Sequence, residues 1–133
     1  MQSPLGSSEA PYHRRAMAAD DTLTAQTEAV MTRNEAAFGR GDLDGVIANY
    51  AEDAVLVRPG KVYRGRAEIR ALFAEIFAHF AGLTPQSNTM TVAGRLALLT
   101  WTATSPGGRV VQGVDSFVIE HDQIVAQSYV GAL

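Results

Sequence analysis

Cysteine is absent from this chain of 133 residues. That absence removes disulfide scaffolds, thiolate metal sites and cysteine nucleophiles together. Lysine occurs once, at Lys61, so imine chemistry has a single candidate. No apolar run approaches the roughly 20 residues of a membrane-spanning helix, and no membrane partner is expected. Neither sign of charge dominates: 11 basic residues stand against 14 acidic ones, a net charge of −3. Nucleic-acid binding normally needs a basic surplus and is not expected. His13, His79 and His121 are scattered, with no H-x-x-x-H pair. Phosphate loops, dinucleotide fingerprints and G-x-S-x-G elbows are also missing, so neither a metal nor a cofactor is expected. What the chain has in quantity is apolar: 47% of residues are hydrophobic and 19% charged, enough for the core of one domain.

Residues 1–19, MQSPLGSSEAPYHRRAMAA, carry no periodicity and lack the apolar centre of a secretory signal. They read as a flexible leader, a remnant, or an over-extended start with Met17 as initiator. A single domain over 20–133 follows from that reading, and a cytoplasmic location is expected. From residue 21 to 39, Leu23, Val30, Met31 and Phe38 mark a helical stripe that Gln26, Thr27 and Asn34 interrupt. Asp42 caps a second short helix whose stripe is Leu43, Val46, Ile47 and Tyr50. Residues 54–58 and 61–64 read as short strands around the Pro59-Gly60 turn. A third helix from Arg66 to about Ala81 gathers Ile69, Leu72, Phe73, Ile76, Phe77 and Phe80 on one face. Then the period falls to 2, and 86–93, 95–104, 109–120 and 123–131 read as four strands. Helices first and strands after predict an α+β fold with helices packed on one face of an antiparallel sheet.

Two segments carry a resemblance. GDLDGVIANYAEDAVLVRPGKVYRGRAEIRALF, residues 41–73, is similar to the N-terminal signature of the NTF2-like superfamily. GVDSFVIEHDQIVAQSYVG, residues 113–131, is similar to its last two strands. The nearest likeness is to the SnoaL-like and SgcJ/EcaC-like proteins. The resemblance implies a cone: a curved antiparallel sheet wrapped around a pocket that three helices close. It also implies a homodimer through the outer sheet face. Function is not implied, because the superfamily holds isomerases, cyclases, dehydratases, hydrolases and proteins without catalysis. Its ketosteroid isomerase branch has a base carboxylate just before the proline that follows the "YAEDA" strand. Arg58 stands there, and an arginine cannot abstract a proton. The branch's oxyanion tyrosine corresponds to Asn34, and its acid on the penultimate strand to Asp115.

Asp115 is the sharpest feature. It shares a strand face with Val111, Gly113, Phe117 and Ile119. A carboxylate there is either a pocket acid or base of raised pKa, or a structural group in an ion pair with an arginine or a bond to a helix terminus. Asn34 either faces the cavity or satisfies backbone at the helix–sheet contact. Gln127 and Tyr129 share one face of the last strand, and parity alone leaves that face concave or outward. Trp101 is core, interface or ligand platform. Tyr50 and Tyr63 flank the pocket mouth in the resembling fold, but Tyr50, on the helical stripe, reads instead as core with its hydroxyl finding a partner. Arg58, with Lys61, Arg64, Arg66 and Arg70, either anchors an acidic ligand or stays solvated. Two functions compete. One is an enzyme acting on a small, apolar, carbonyl-bearing molecule, with Asp115 as acid and base and Asn34, Gln127 or Tyr129 polarising its oxygen. The other is a non-catalytic module that binds a ligand or dimerises.

Overall fold

The computed structural model describes residues 3–131, with side chains from Asp20 onward. Helix α1 spans Ser3–Gly39 and α2 spans Leu43–Ile47; strands β1 (Tyr50–Arg58) and β2 (Lys61–Arg64) follow. Helix α3 (Gly65–His79) leads into β3 (Thr84–Ala93), β4 (Leu96–Thr104), β5 (Val110–Glu120) and β6 (Gln123–Gly131). Helix α1 begins before residue 21, where apolar periodicity starts. The Arg14–Ala19 run supplies strong helix formers without an apolar stripe, so a pattern search passes over it. The reading of residues 1–19 as a leader lies outside the described side chains.

The six strands form one sheet in the order β2-β1-β6-β5-β4-β3. Every pairing is antiparallel except β1 with β6, which is parallel. Register slips between Tyr50 and Val55, Ser87 and Thr89, and Val118 and Ile119 bend the strands. The sheet curls without closing, and the helices cover its concave face. This is the α+β cone that the sequence led us to expect.

Local chemistry holds the helices in place. The Asp42 side chain accepts from Gly45 N at 2.9 Å and starts α2. Thr27 Oγ1 donates to Gly94 O at 2.6 Å, and Gly94 N donates to Thr24 Oγ1 at 2.9 Å. These two bonds pin α1 to the β3–β4 turn. The stripe of α1 buries Thr27, Val30, Met31, Asn34 and Ala37, and α3 buries Ile69, Leu72, Phe73 and Ile76. Tyr50 departs from its expected helical place. Helix α2 stops at Ile47, and Tyr50 opens β1 by pairing with Ile124 of β6. The 43-46-47-50 spacing satisfies a helix, but a sheet contact 74 residues away in sequence takes the last position.

Candidate active site

Between the helices and the concave face lies a cavity of about 170 Å³. Its walls are mainly apolar, with Met31, Phe38, Leu72, Phe73, Phe80 and Leu99 among them. Asn34, Asp115, Gln127 and Tyr129 supply its inner polar groups, and Glu35, Gln86 and Ser87 line it too. Ser87 Oγ donates to Glu35 Oε2; Gln86 and Ser87 are exposed and Glu35 half-buried, which places these three at the mouth.

Strand register brings the inner groups together. Asp115 of β5 stands opposite Leu99 of β4 and Tyr129 of β6, and Phe117 stands opposite Gln127. Gln127 and Tyr129 are therefore on the concave face, the point that parity left open. Trp101 and Gln127 are diagonal neighbours of Asp115, within reach of long side chains. Trp101 Nε1 donates to Asp115 Oδ1 at 2.8 Å, and Gln127 Nε2 donates to Asp115 Oδ2 at 2.8 Å. The Tyr50 hydroxyl donates in turn to Gln127 Oε1. Tyr50 is fully buried behind this chain and does not line the cavity.

Asp115 has no cation beside it: among the described residues the ion pairs are Arg40–Asp42 and Arg70–Asp44. The ion-pair alternative for Asp115 is therefore not the observed arrangement. Burial pushes its carboxyl from the ordinary 3.8 up to about 6, against the opposing pull of the Trp101 and Gln127 donors. Burial, aided by the Asp115 charge, raises Tyr129 to about 12 although the Arg58 charge opposes it, and the same two causes push Tyr50 well above its usual range. Both tyrosines stay neutral at pH 7.

Asn34 is held in one orientation by a chain of unambiguous partners. Arg33 Nη2 donates to the Asp122 carbonyl at 3.2 Å, in the tight β5–β6 turn. Arg33 Nε, which can only donate, bonds Asn49 Oδ1 at 3.4 Å. Asn49 Nδ2 donates to the Gly45 carbonyl at 3.2 Å, which can only accept, and to Asn34 Oδ1 at 3.2 Å. The Asn34 oxygen is thus taken up by Asn49. Among the described residues no sealed side-chain nitrogen or oxygen lacks a partner. Asn34 Nδ2 and the Tyr129 hydroxyl make no bond to any described residue, so both open onto the cavity they line. One wall therefore presents a donor, Asn34, and the facing sheet an ionisable acceptor, Asp115.

Arg58 and Tyr63 are placed elsewhere. Tyr63 is buried at the β1–β2 edge, with the Arg58 guanidinium 5.9 Å and the Lys61 ammonium 5.5 Å from its ring centre. Neither Arg58 nor Tyr63 lines the cavity. Other members of the basic cluster are engaged: Arg66 Nε donates to the Tyr50 carbonyl at 2.7 Å, and Arg70 pairs with Asp44. Trp101 does line the cavity, stacked 6.4 Å from Tyr129 at an interplanar angle of 19°.

Sequence reading missed Asn49 and Gly113. Nothing local marks Asn49. Gly113 had a signal, because a glycine inside an apolar strand often marks a close approach. A Cβ built on Gly113 would lie 2.2 Å from Trp101 Cζ2, and one on its β6 partner Gly131 would lie 3.0 Å from the same atom. The two bare positions form the floor on which the indole rests.

The SnoaL-like domain family matches residues 30–127. An NTF2-like protein of unknown function from Mesorhizobium loti is 23% identical, covers 83% of this chain and 93% of its own, and superposes with a TM-score of 0.72. AclR of Streptomyces galilaeus, named as a hydroxylase, is 18% identical over 82% of this chain and 90% of its own, with a TM-score of 0.68. A protein of Kribbella flavida named as a ketosteroid isomerase is 16% identical over 83% of this chain and 80% of its own, with a TM-score of 0.69. At these identities the likeness shows the fold alone. No curated protein matches the chain.

Proposed function

The chain belongs to the SnoaL-like domain family with its NTF2-like fold, and from that membership we propose that it catalyses proton transfer on a small, apolar, carbonyl-bearing molecule. The observation that carries this reading is Asp115: a buried carboxylate on an apolar cavity wall, held by two neutral donors and no cation. With a pKa of about 6, it is ionised by about ten to one at pH 7 yet remains basic enough to take a proton.

In this scheme an Asp115 oxygen removes a proton from the carbon beside the ligand carbonyl. The C–H electron pair forms the enolate double bond, and the carbonyl π pair moves onto oxygen. Asn34 Nδ2 donates to that oxygen as its charge grows. In a β,γ-unsaturated ketone the enolate is conjugated with the C=C bond, so return of the proton from Asp115 to the γ-carbon moves the double bond to the α,β position and completes an isomerisation. In a saturated ketone the proton returns to the α-carbon, and exchange with solvent is the readout. Trp101 and Gln127 keep the carboxylate aimed and Tyr50 keeps Gln127 aimed. The matching test is exchange of α-hydrogens for deuterium in simple ketones, followed by NMR. Catalysed exchange that Asp115→Asn abolishes supports the scheme; no exchange above background with any ketone overturns it. A second reading, a non-catalytic ligand-binding module, draws support from Arg58, which occupies the place where the resembling isomerases hold their base. Ketone binding without exchange is its signature.

Asn49→Asp tests the donor wall. The new carboxylate pairs with Arg33 but offers no N–H, so the Asn34 amide turns over and presents oxygen to the cavity. Ketone affinity should fall roughly ten- to a hundredfold, the scale of one buried hydrogen bond lost. Unchanged affinity would remove Asn34 from the site.

The reading also includes a homodimer through the convex sheet face and a single domain over 20–133. On that face Leu96, Leu98, Val114 and Val130 are 54%, 43%, 43% and 61% exposed, with Val114 paired to Val130 across the strands. Such a patch is normally covered. Light scattering should report twice the 14.2 kDa chain mass, and Val114→Glu should halve it. A wild-type particle of one chain mass would refute the dimer.

A further inference from the structure

We propose that the cavity takes a ketone of a single six-membered ring and that Phe80 is the residue that excludes fused rings. This rests on the carbonyl reading above and narrows it.

The first ground is size. An apolar cavity of about 150 Å³ holds one benzene molecule. The cavity here is about 170 Å³, which accommodates one ring and its exocyclic oxygen. A second fused ring exceeds that volume and would have to extend through the mouth or displace a wall.

The second ground is that those walls are braced against one another. Trp101 lies on Gly113, where even a methyl group would collide with it, and stacks on Tyr129. Phe80 packs against Trp101 with ring centres 5.4 Å apart and against Phe38 at 6.0 Å. Phe38 in turn meets Phe73 at 6.4 Å and Phe77 at 5.0 Å. Among the described residues, Phe80 is thus the ring that joins the indole on the sheet to the phenylalanine cluster of α1 and α3. Widening the cavity between the sheet and the phenylalanine cluster displaces Phe80, which is clamped on both sides at the buried C-cap of α3.

The third ground is polarity. Inside the mouth, the free donor at Asn34 matches a ketone oxygen. The remaining wall is apolar apart from Asp115, Gln127 and Tyr129, so a ring with several polar substituents would leave some of them unpaired.

The sole tryptophan of the chain is Trp101, in the cavity wall, so its fluorescence reports occupancy directly. The probes are cyclohexanone, 2-decalone and the saturated four-ring ketone 5α-androstan-3-one, titrated into wild type, Phe80→Ala and Phe80→Leu. For wild type we expect saturable quenching by cyclohexanone in the millimolar range, as suits a ligand of about seven non-hydrogen atoms. Neither fused ketone should give saturable quenching. Phe80→Ala should gain 2-decalone binding by at least tenfold; Phe80→Leu, milder for the fold, should gain it in smaller measure. Saturable binding of the steroid ketone to wild type, sensitive to Asp115→Asn, would overturn the one-ring limit and leave the carbonyl reading standing. Failure of both Phe80 variants to admit 2-decalone would overturn the role of Phe80. Absence of saturable quenching by every ketone would overturn the carbonyl reading itself, and the one-ring limit with it.

Discussion

Asp115→Asn should lose 10²–10⁴-fold in ketone exchange rate, the usual contribution of a positioned proton-transfer group, without losing stability. The two halves of that result have separate causes. The rate falls because an amide cannot accept the proton. Stability holds because the network can invert. The oxygen of the substituted amide still accepts from Trp101 Nε1, and its new N–H₂ meets Gln127 once that side chain turns over. The Tyr50 hydroxyl then accepts from Gln127 where it donated before. The buried charge is also gone. An aspartate whose folded pKa exceeds its unfolded value holds its proton more tightly when folded. Its stabilising contribution is therefore complete below pH ~4 and is lost as pH climbs through about 6. At pH 7 that loss is on the order of 3 kcal/mol at most. Wild type should melt at progressively lower temperature from pH 4 to pH 7, and the Asn variant should not. The exchange rate of wild type should rise over the same interval, with its midpoint near pH 6, because only the carboxylate acts as base. A variant that melts far below wild type at pH 7 would make Asp115 a scaffold residue.

Much of this site was legible in the strands. Alternation alone placed Asp115 with Gly113, Phe117 and Ile119, all of which turn inward. It also paired Gln127 with Tyr129 and set Trp101 with Leu99 and Ala103. What alternation cannot supply is which face of one strand joins which face of the next. That depends on register, and register depends on contacts between distant segments. The interrupted stripe of α1 likewise flagged Asn34 but not its orientation. The orientation is fixed through Asn49 and Arg33 from a turn far along the chain, at Asp122. Tyr50, Tyr63 and Arg58 show the reverse limit. The pocket-mouth places of the two tyrosines came from a likeness in order and motif, and that of Arg58 from a run of basic residues. Small differences in strand length decide whether a side chain reaches the cavity or ends behind it. Tyr50 ends behind it and acts on the site only through Gln127.

Gly113 is the position where a single methyl group should do most damage. Its Cβ would meet Trp101 Cζ2 at 2.2 Å and Cε2 at 2.6 Å, contacts that real atoms do not make. The collision is with a rigid ring clamped by Phe80 and Tyr129, so neither partner yields cheaply. In Gly113→Ala the indole must leave its seat, and its N–H leaves the Asp115 carboxylate. Overpacking costs about 1–3 kcal/mol, and loss of a hydrogen bond to a charged group a comparable amount. We expect a loss of about 3 kcal/mol, a fall of roughly 10 °C in melting temperature, and a red-shifted Trp101 emission as the ring meets water. Gly39→Ala is the control, since a Cβ there meets nothing within 4 Å and favours the end of α1. It should leave both readouts near wild type. Trp101→Leu should then rescue the fold: in the double variant the smaller side chain accommodates the new methyl group, and its cost should be well below the sum of the two single changes. Additive losses would mean that the glycine matters for its backbone and not for the ring above it. An unshifted emission together with a wild-type melt would mean that Trp101 is not seated on Gly113, and the wall that sets the cavity's size would have to be drawn elsewhere.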